Sequence, residues 1–355
     1  MNTMNKTDKI KNFDPNSIGD TNNNLFGLPF TTEEAEVVVI PVPWEVTVSY
    51  SAGTAKGPQA IYDASFQVDL FDPEIENVWK MGIAMESVSK RLQSTSNRLR
   101  IKAEKYLALF EKGHNPSSNK VMKTLQAEIN KACIKMNAEV KEKALHYLTK
   151  NKIPALLGGD HSTPLGLMQA LAKRHPSFAI LQIDAHADLR DAYEGFEFSH
   201  ASIMFNALKI PQVSRLVQIG IRDYCEAEAI LIKNSKGRIK TFYDRDIKTQ
   251  QYEGVAWSAI CEKIIEELPE KIYLSFDIDG LDPKLCPHTG TPVAGGFEFE
   301  QILFLLQKIV KSGKTIIAFD INEVAPGKDE WDANVAARLL YRIAGLAGKS
   351  NGRIL

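Results

Sequence analysis

The sequence predicts an α/β fold built on a mostly parallel sheet that is covered by helices on both faces. Three observations lead there. After Lys152, short apolar runs alternate regularly with helical segments. The runs are nearly continuous in Val, Ile, Leu and Phe, as strands buried on both faces should be. Acidic and His-bearing motifs follow four of these runs directly, at the strand ends where open parallel sheets place their ligands.

The elements follow in chain order. Residues 1–30 are expected to form an N-terminal arm, polar and Asn-rich up to about residue 24, and residues 31–355 a single domain. Val37–Ile40 is the first strand. A Gly/Ser/Thr-rich loop follows, ending at Gly57-Pro58 ahead of a helical Ala60–Ser65. Asn97–Lys150 is Lys/Glu/Ala/Leu-rich with helical spacing and is broken at Gly113–Ser118, which predicts two long helices forming an insertion near 97–150. Further strands are expected at Ile153–Leu157, Phe178–Ile183, Arg215–Ile219, Ile239–Phe242, Ile272–Phe276 and Thr315–Phe319. Helices fall between them near Thr163–Lys173, Ser199–Leu208, Glu226–Lys233, Ala256–Glu267 and Phe299–Lys311, and Asp332–Ala347 is the last. Neither an internal repeat nor a dividing linker interrupts this pattern.

Composition excludes several functions. A net charge of -1 over 355 residues leaves no basic footprint for nucleic acid or an anionic membrane. No apolar run approaches the roughly 20 residues of a membrane helix, and the N-terminus lacks the apolar core of a secretory signal. Cys133, Cys225, Cys261 and Cys286 are scattered without a Cys-x-x-Cys pair, which predicts reduced thiols and a cytoplasmic setting. Cys286 lies near a motif below and is expected to serve packing.

The stretch Ile180–Arg190, ILQIDAHADLR, organises the rest. Asp184, His186 and Asp188 occur at every second position, and strand alternation would aim them to one side. Like charges that close are unfavourable unless a cation sits between them. Three other motifs end strands in the same way: Gly158-Gly159-Asp160-His161-Ser162, then Asp277 and Asp279, then Asp320-Ile-Asn-Glu323. Asp160 and Asp282 are expected to cap or turn the chain instead. Two His and four Asp exceed the needs of one tetrahedral zinc site and suit two divalent ions sharing carboxylates. The oxygen-rich set favours Mn²⁺, with Ni²⁺ the main alternative and cobalt or iron also compatible. Paired ions lower the pKa of water, so hydrolysis is the expected chemistry.

GGDHS (158–162), DAHAD (184–188), SFDIDGLDP (275–283) with TGTP (289–292), and DINEVAP (320–326) resemble the ureohydrolase superfamily of arginases and agmatinases, in the family's order from about Val37 onward. The resemblance implies a three-layer α/β/α fold and two metal ions. One ion would take His161, Asp184, Asp188 and Asp277, and the other Asp184, His186, Asp277 and Asp279. Asp188 would also orient the attacking hydroxide, Glu323 would hold the substrate guanidinium, and His200 would shuttle protons. Urea and an amine would be the products. The family is commonly trimeric or hexameric, which implies a homo-oligomer.

The continuation Leu189-Arg190-Asp191-Ala192-Tyr193-Glu194-Gly195 is similar to agmatinases rather than arginases, so agmatine is the first expected substrate, with Arg190 at the substrate or in a surface salt bridge. Formimidoylglutamase and guanidinobutyrase are alternatives. The first loop departs from agmatinases, with Ser51 and Ala55 standing at the positions of their two arginines. That departure, the helical insertion Asn97–Lys150, the arm and Trp331 resemble the branch that includes nickel-dependent guanidine hydrolases. Trp331 and the arm would then narrow the pocket for free guanidine. Two other classes compete: a non-catalytic metal scaffold, which filled ligand positions disfavour, and a two-metal phosphoesterase, which would need cationic phosphate clamps.

Overall fold

The structure is a computed structural model and describes residues 4–354. Its centre is one eight-stranded sheet. The strands are β1 (Val37–Val42), β2 (Ile83–Met85), β3 (Ile153–Gly158), β4 (Phe178–Ile183), β5 (Val213–Ile221), β6 (Ile239–Tyr243), β7 (Lys271–Asp277) and β8 (Thr315–Asn322). They lie in the order β2-β1-β3-β8-β7-β4-β5-β6, and every pair is parallel. The sheet is thus entirely parallel rather than mostly so.

Alternating side chains divide the interior into two cores. Val37 and Val39 join the helices Gly57–Ala64, Trp257–Glu266, Phe299–Lys311 and Trp331–Ser350 on one face. Val38 and Ile40 join Lys90–Glu111, Lys120–Thr149, Leu165–Leu171 and Ile203–Ala207 on the other. The result is the three-layer α/β/α arrangement. In Phe299–Lys311 the spacing of Ile302, Leu303, Leu305, Leu306 and Ile309 puts all five into the core. Each such side chain contributes about 1.5–3 kcal/mol on burial.

Several expectations change. The second half of the arm is core: Leu25, Phe26, Leu28 and Phe30 are buried, and the Phe26 ring meets Tyr341 of the last helix at 5.0 Å. An apolar LFGLPF segment loses less by packing than by hanging in water. The segment near 97–150 is likewise a full part of one layer. Its first helix starts at Lys90, where Ser89 caps the Leu92 amide, and Ile129, Cys133, Met136 and Val140 of the second are buried. Three strands or α-helices were not foreseen, the first being helix Lys6–Asn12 in the arm. Strand β2 has only three residues, and helix Asp244–Tyr252 is so polar that Asp244 and Ile247 alone are buried.

The chain builds β1 to β3 on one side and β4 to β6 on the other, then returns to insert β7 and β8 between them. The four strands β3, β8, β7 and β4 are therefore neighbours at the centre. Crevices beyond the carboxyl ends of such strands, where the order reverses, are the ligand sites of open α/β sheets.

Candidate metal centre

Each of the four motifs leaves the end of one of those central strands. His161 follows β3, Asp184, His186 and Asp188 follow β4, Asp277 ends β7 with Asp279 in the next turn, and Glu323 follows β8. The His161 Nδ1 atom lies 3.0 Å from Asp184 Oδ2, 3.0 Å from Asp188 Oδ2 and 3.3 Å from Asp277 Oδ2. It is buried and hydrogen-bonded to none of them. The His186 Nδ1 atom lies 3.1 Å from Asp279 Oδ2 and 3.6 Å from Asp184 Oδ1. Two groups able to hold a metal result, His161–Asp184–Asp277 and Asp184–His186–Asp279, with Asp184 common to both.

Strand alternation does not produce this convergence, contrary to the sequence argument. Strand β4 stops at Ile183, and Asp184–Asp188 form a loop tied down by Arg222 and Asp223, whose amides donate to Ala185 O at 2.8 and 3.0 Å. Asp188 turns inward only because its φ is +54°. Glu323 is also left-handed, at φ +65°. Such backbone is uncommon outside glycine, costs of order 1–3 kcal/mol and collects at functional sites. Gly159 is needed because a Cβ there would strike the Trp44 backbone.

The electrostatics call for added positive charge. Burial, then the charges of Asp279 and Asp184, push the Asp277 carboxyl well above its ordinary range. Burial and the Asp184 charge push Asp188 up to about 7. Against the same burial, His161 and His186 hold Asp184 below the usual carboxylate range. Four buried carboxylates so close cannot all ionise by themselves near neutral pH. Oxygen-rich donors, two imidazole nitrogens and a partnerless Nδ1 facing three carboxylates fit divalent metal ions.

A row of polar residues, buried except for the half-buried Thr241, lies under the site, and the sequence analysis missed it. Thr241, Gln218, Gln182, Ser275 and Asp320 are register partners across β6, β5, β4, β7 and β8. Thr241 donates to Gln218 at 2.8 Å, Gln218 to Gln182 at 2.6 Å, and Gln182 to Asp184 Oδ2 at 2.8 Å. Ser275 Oγ lies 3.0 Å from His161 Nε2 and donates to Asp320 Oδ1 at 3.1 Å. Partners of this kind fix the orientation of metal-binding side chains. The available signal was Gln182, a polar residue inside an otherwise apolar strand.

Glu323 Oε1 accepts from the His161 amide at 2.8 Å, whereas its buried Oε2 is unpartnered. Burial, then the Asp160 charge, raises its pKa well above the ordinary value. Burial, followed by the charges of His186 and His161, pushes His200 down to about 3 and keeps the ring neutral. A cavity of about 250 Å³ is bounded by His186, Asp188, His200, Arg190, Tyr193 and Asp223 among others; Glu323 lies buried behind this lining. Arg190 has both expected aspects: it lines the cavity, and its Nε sits 3.8 Å from Glu228 Oε2.

Trp331 is not in this cavity. It is half-exposed at the start of the last helix, and its Nε1 donates to Lys284 O at 3.0 Å. The arm does not reach the cavity either, being occupied in the core. A larger groove, about 930 Å³, touches the arm at Asn24 and Phe30 and contains none of the metal-centre residues. Asp160 and Asp282 each accept from the amide two residues on, at 3.0 Å, and act as turn residues. Cys286 is buried, with its thiol pKa raised by burial and Asp332, and serves packing. All four cysteines are free thiols. No helix among the described residues is long and apolar enough to cross a membrane.

Fold and site together define a class: all-parallel α/β proteins that gather imidazoles and carboxylates for metal at the ends of their central strands. Residues 35–345 match the arginase family, and the chain belongs to it. It is 30% identical to the N(1)-aminopropylagmatine ureohydrolase of Thermus thermophilus over 320 residues, 90% of this chain and 93% of that one. It is 27% identical to the agmatinase of Bacillus subtilis over 314 residues, 87% of this chain and 90% of that one. The same fold occurs in the agmatine ureohydrolase of Thermoplasma volcanium, with a TM-score of 0.69 at 22% identity over 97% of this chain and 98% of that one. It also occurs in the arginase of Bacillus cereus, with a TM-score of 0.63 at 22% identity over 88% and 98%.

Proposed function

We propose that this protein is a two-metal hydrolase of a guanidino compound, releasing urea and an amine, and that agmatine is the substrate, giving putrescine. The observation that carries it is a pair of His/Asp groups sharing Asp184, beside a buried carboxylate, Glu323, with one free oxygen. His161, Asp184, Asp188 and Asp277 would hold one divalent ion, and Asp184, His186, Asp277 and Asp279 the other. Mn²⁺ suits these donors best, and Ni²⁺ is the alternative. Two ions bound there supply Lewis acidity and lower the pKa of water to near neutral.

The chain's own residues supply the rest. Glu323 Oε2 receives the guanidinium, since a planar cation pairs well with a carboxylate that has no other partner. Asp188 orients the water. His200, being neutral, takes a proton before it can pass one to the leaving amine. The polar row on β4 and β7 keeps the Asp184 carboxylate and the His161 ring from rotating, so little reorganisation is needed during reaction. Relatives named agmatinase and aminopropylagmatine ureohydrolase support an amine-tailed substrate.

A narrowed mouth selective for free guanidine has no support from the arm or Trp331, which lie elsewhere. We further propose a cytoplasmic homo-oligomer, trimeric or hexameric, which light scattering tests. Function is tested by measuring urea from agmatine, guanidine, 4-guanidinobutanoate and arginine with protein loaded separately with Mn²⁺ or Ni²⁺. Agmatine is expected to have the highest kcat/KM. Absence of urea from every compound with either metal refutes the hydrolase.

A further inference from the structure

The mouth of the cavity carries two kinds of charge, and only one of them is free. Arg190 is engaged: its guanidinium stacks 4.7 Å from the centroid of the Tyr193 ring, and Glu228 lies 3.8 Å from its Nε. Glu228 is buried, and its two oxygens accept from the Leu189 and Cys225 amides at 3.0 and 2.8 Å. These two charges offset each other. Asp223 is different. Its side chain is 68% exposed while lining the cavity, and the basic side chain nearest to it is the His186 ring, whose Nε2 is 3.9 Å away and beyond hydrogen-bond distance. Its backbone is nevertheless fixed, since its amide donates to Ala185 O between Asp184 and His186. A carboxylate without a close partner is therefore held at a set distance from the reacting centre. Tyr50 and Tyr193 also line the cavity.

From this arrangement we infer that Asp223 determines specificity, pairing with an ammonium group on the tail of the guanidino substrate and disfavouring neutral and anionic tails. The inference rests on the hydrolase reading above. It names a class, the guanidinoalkyl-ammonium compounds, and gives the choice between tails to one residue. Tyr50 adds an aromatic face that favours a cation, while the Tyr193 ring is taken by Arg190. Because Asp223 is open to solvent, the selectivity it supplies is moderate and falls with ionic strength.

The test compares three tails on the metal-loaded enzyme by release of urea: agmatine (ammonium), n-butylguanidine (neutral) and 4-guanidinobutanoate (carboxylate). The quantity read is the ratio of kcat/KM values. Wild type is expected to rank them in that order. Asp223→Asn is expected to reduce the agmatine to butylguanidine ratio about fivefold, through KM, as loss of an exposed ion pair implies. Asp223→Lys is expected to move the ratio further and to favour the carboxylate. Raising salt should shrink the wild-type preference and leave that of Asp223→Asn flat. An unchanged ratio in Asp223→Asn overturns the inference. So does an equal loss for agmatine and butylguanidine accompanied by reduced metal content, which would mean that Asp223 serves His186 instead. Failure to form urea from all three compounds rejects the hydrolase reading itself, a result distinct from urea without tail discrimination.

Discussion

Replacing Ser275 with alanine tests whether the polar row governs metal binding. The Ser275 hydroxyl stands between His161 Nε2 at 3.0 Å and Asp320 Oδ1 at 3.1 Å. With Nδ1 turned to the carboxylates, Nε2 carries the ring proton and donates it to Ser275. Both residues are buried, so no water replaces the hydroxyl directly. Asp320 keeps Tyr273, Asn322 and the Phe276 amide as donors and is little affected. The loss falls on the imidazole. A buried N–H left without an acceptor costs about 1–3 kcal/mol. At about 1.4 kcal/mol per factor of ten, that is roughly 10–100-fold in affinity for the ion held by His161. The assay is a Mn²⁺ titration of chelator-stripped protein against a competing chromophoric chelator, with two sites resolved. One site is expected to weaken by that factor, while the site built on His186 changes little. Wild-type affinity at both sites, or a lower Tm of the metal-free protein with affinity intact, would refute the argument and leave Ser275 a matter of stability alone.

Three other outcomes follow from the same geometry. Asp277→Asn removes a carboxylate assigned to both ions and should lower bound metal below two per chain and abolish urea formation; full metal content with normal turnover contradicts the shared role. Glu323→Gln keeps shape but loses charge, and kcat/KM should fall about 10–100-fold, the value of hydrogen bonds to a charged group, with metal content unchanged; an unaltered kcat/KM removes Glu323 from the substrate. At the arm, Lys9 lies 2.7 Å from Glu34, and the Thr31 amide also donates to Glu34. Against the cost of partial burial, Lys9 and Thr31 hold the Glu34 pKa below its ordinary value. Its contribution, about 1 kcal/mol for a partly buried surface pair, is therefore present above the unfolded pKa of about 4.3 and is lost as pH falls through the lower folded value. Thermal melts of wild type and Glu34→Gln should differ at neutral pH and converge in acid. A gap independent of pH argues against the ion pair.

Much of the architecture was legible because local chemistry determines it. Apolar runs between helical segments specified seven of the eight strands, and helical spacing broken at Gly113–Ser118 specified the two long helices, although the first begins earlier, at the Ser89 cap. Strand β2 escaped because three residues give no periodicity, and its place is set by pairing with β1. The arm was misjudged for a related reason. Leu25–Phe30 is a short apolar segment in a polar stretch, and only the presence of Tyr341, over 300 residues later in the chain, makes it core.

By itself the sequence determined which donors exist, that they follow strands, and that their number suits two ions, since residue type and spacing are local properties. Tertiary structure decided how they meet. Asp184, His186 and Asp188 converge through a left-handed turn and a tether to Asp223, not through strand alternation. Insertion of β7 and β8 between β3 and β4 brings Asp277, Glu323, Ser275 and Asp320 beside His161 from positions more than 100 residues away. It also left Trp331 outside the cavity and Asp223 on its wall. Such contacts depend on strand order, which the whole chain sets through packing of both faces of the sheet, and no local window of residues contains that information.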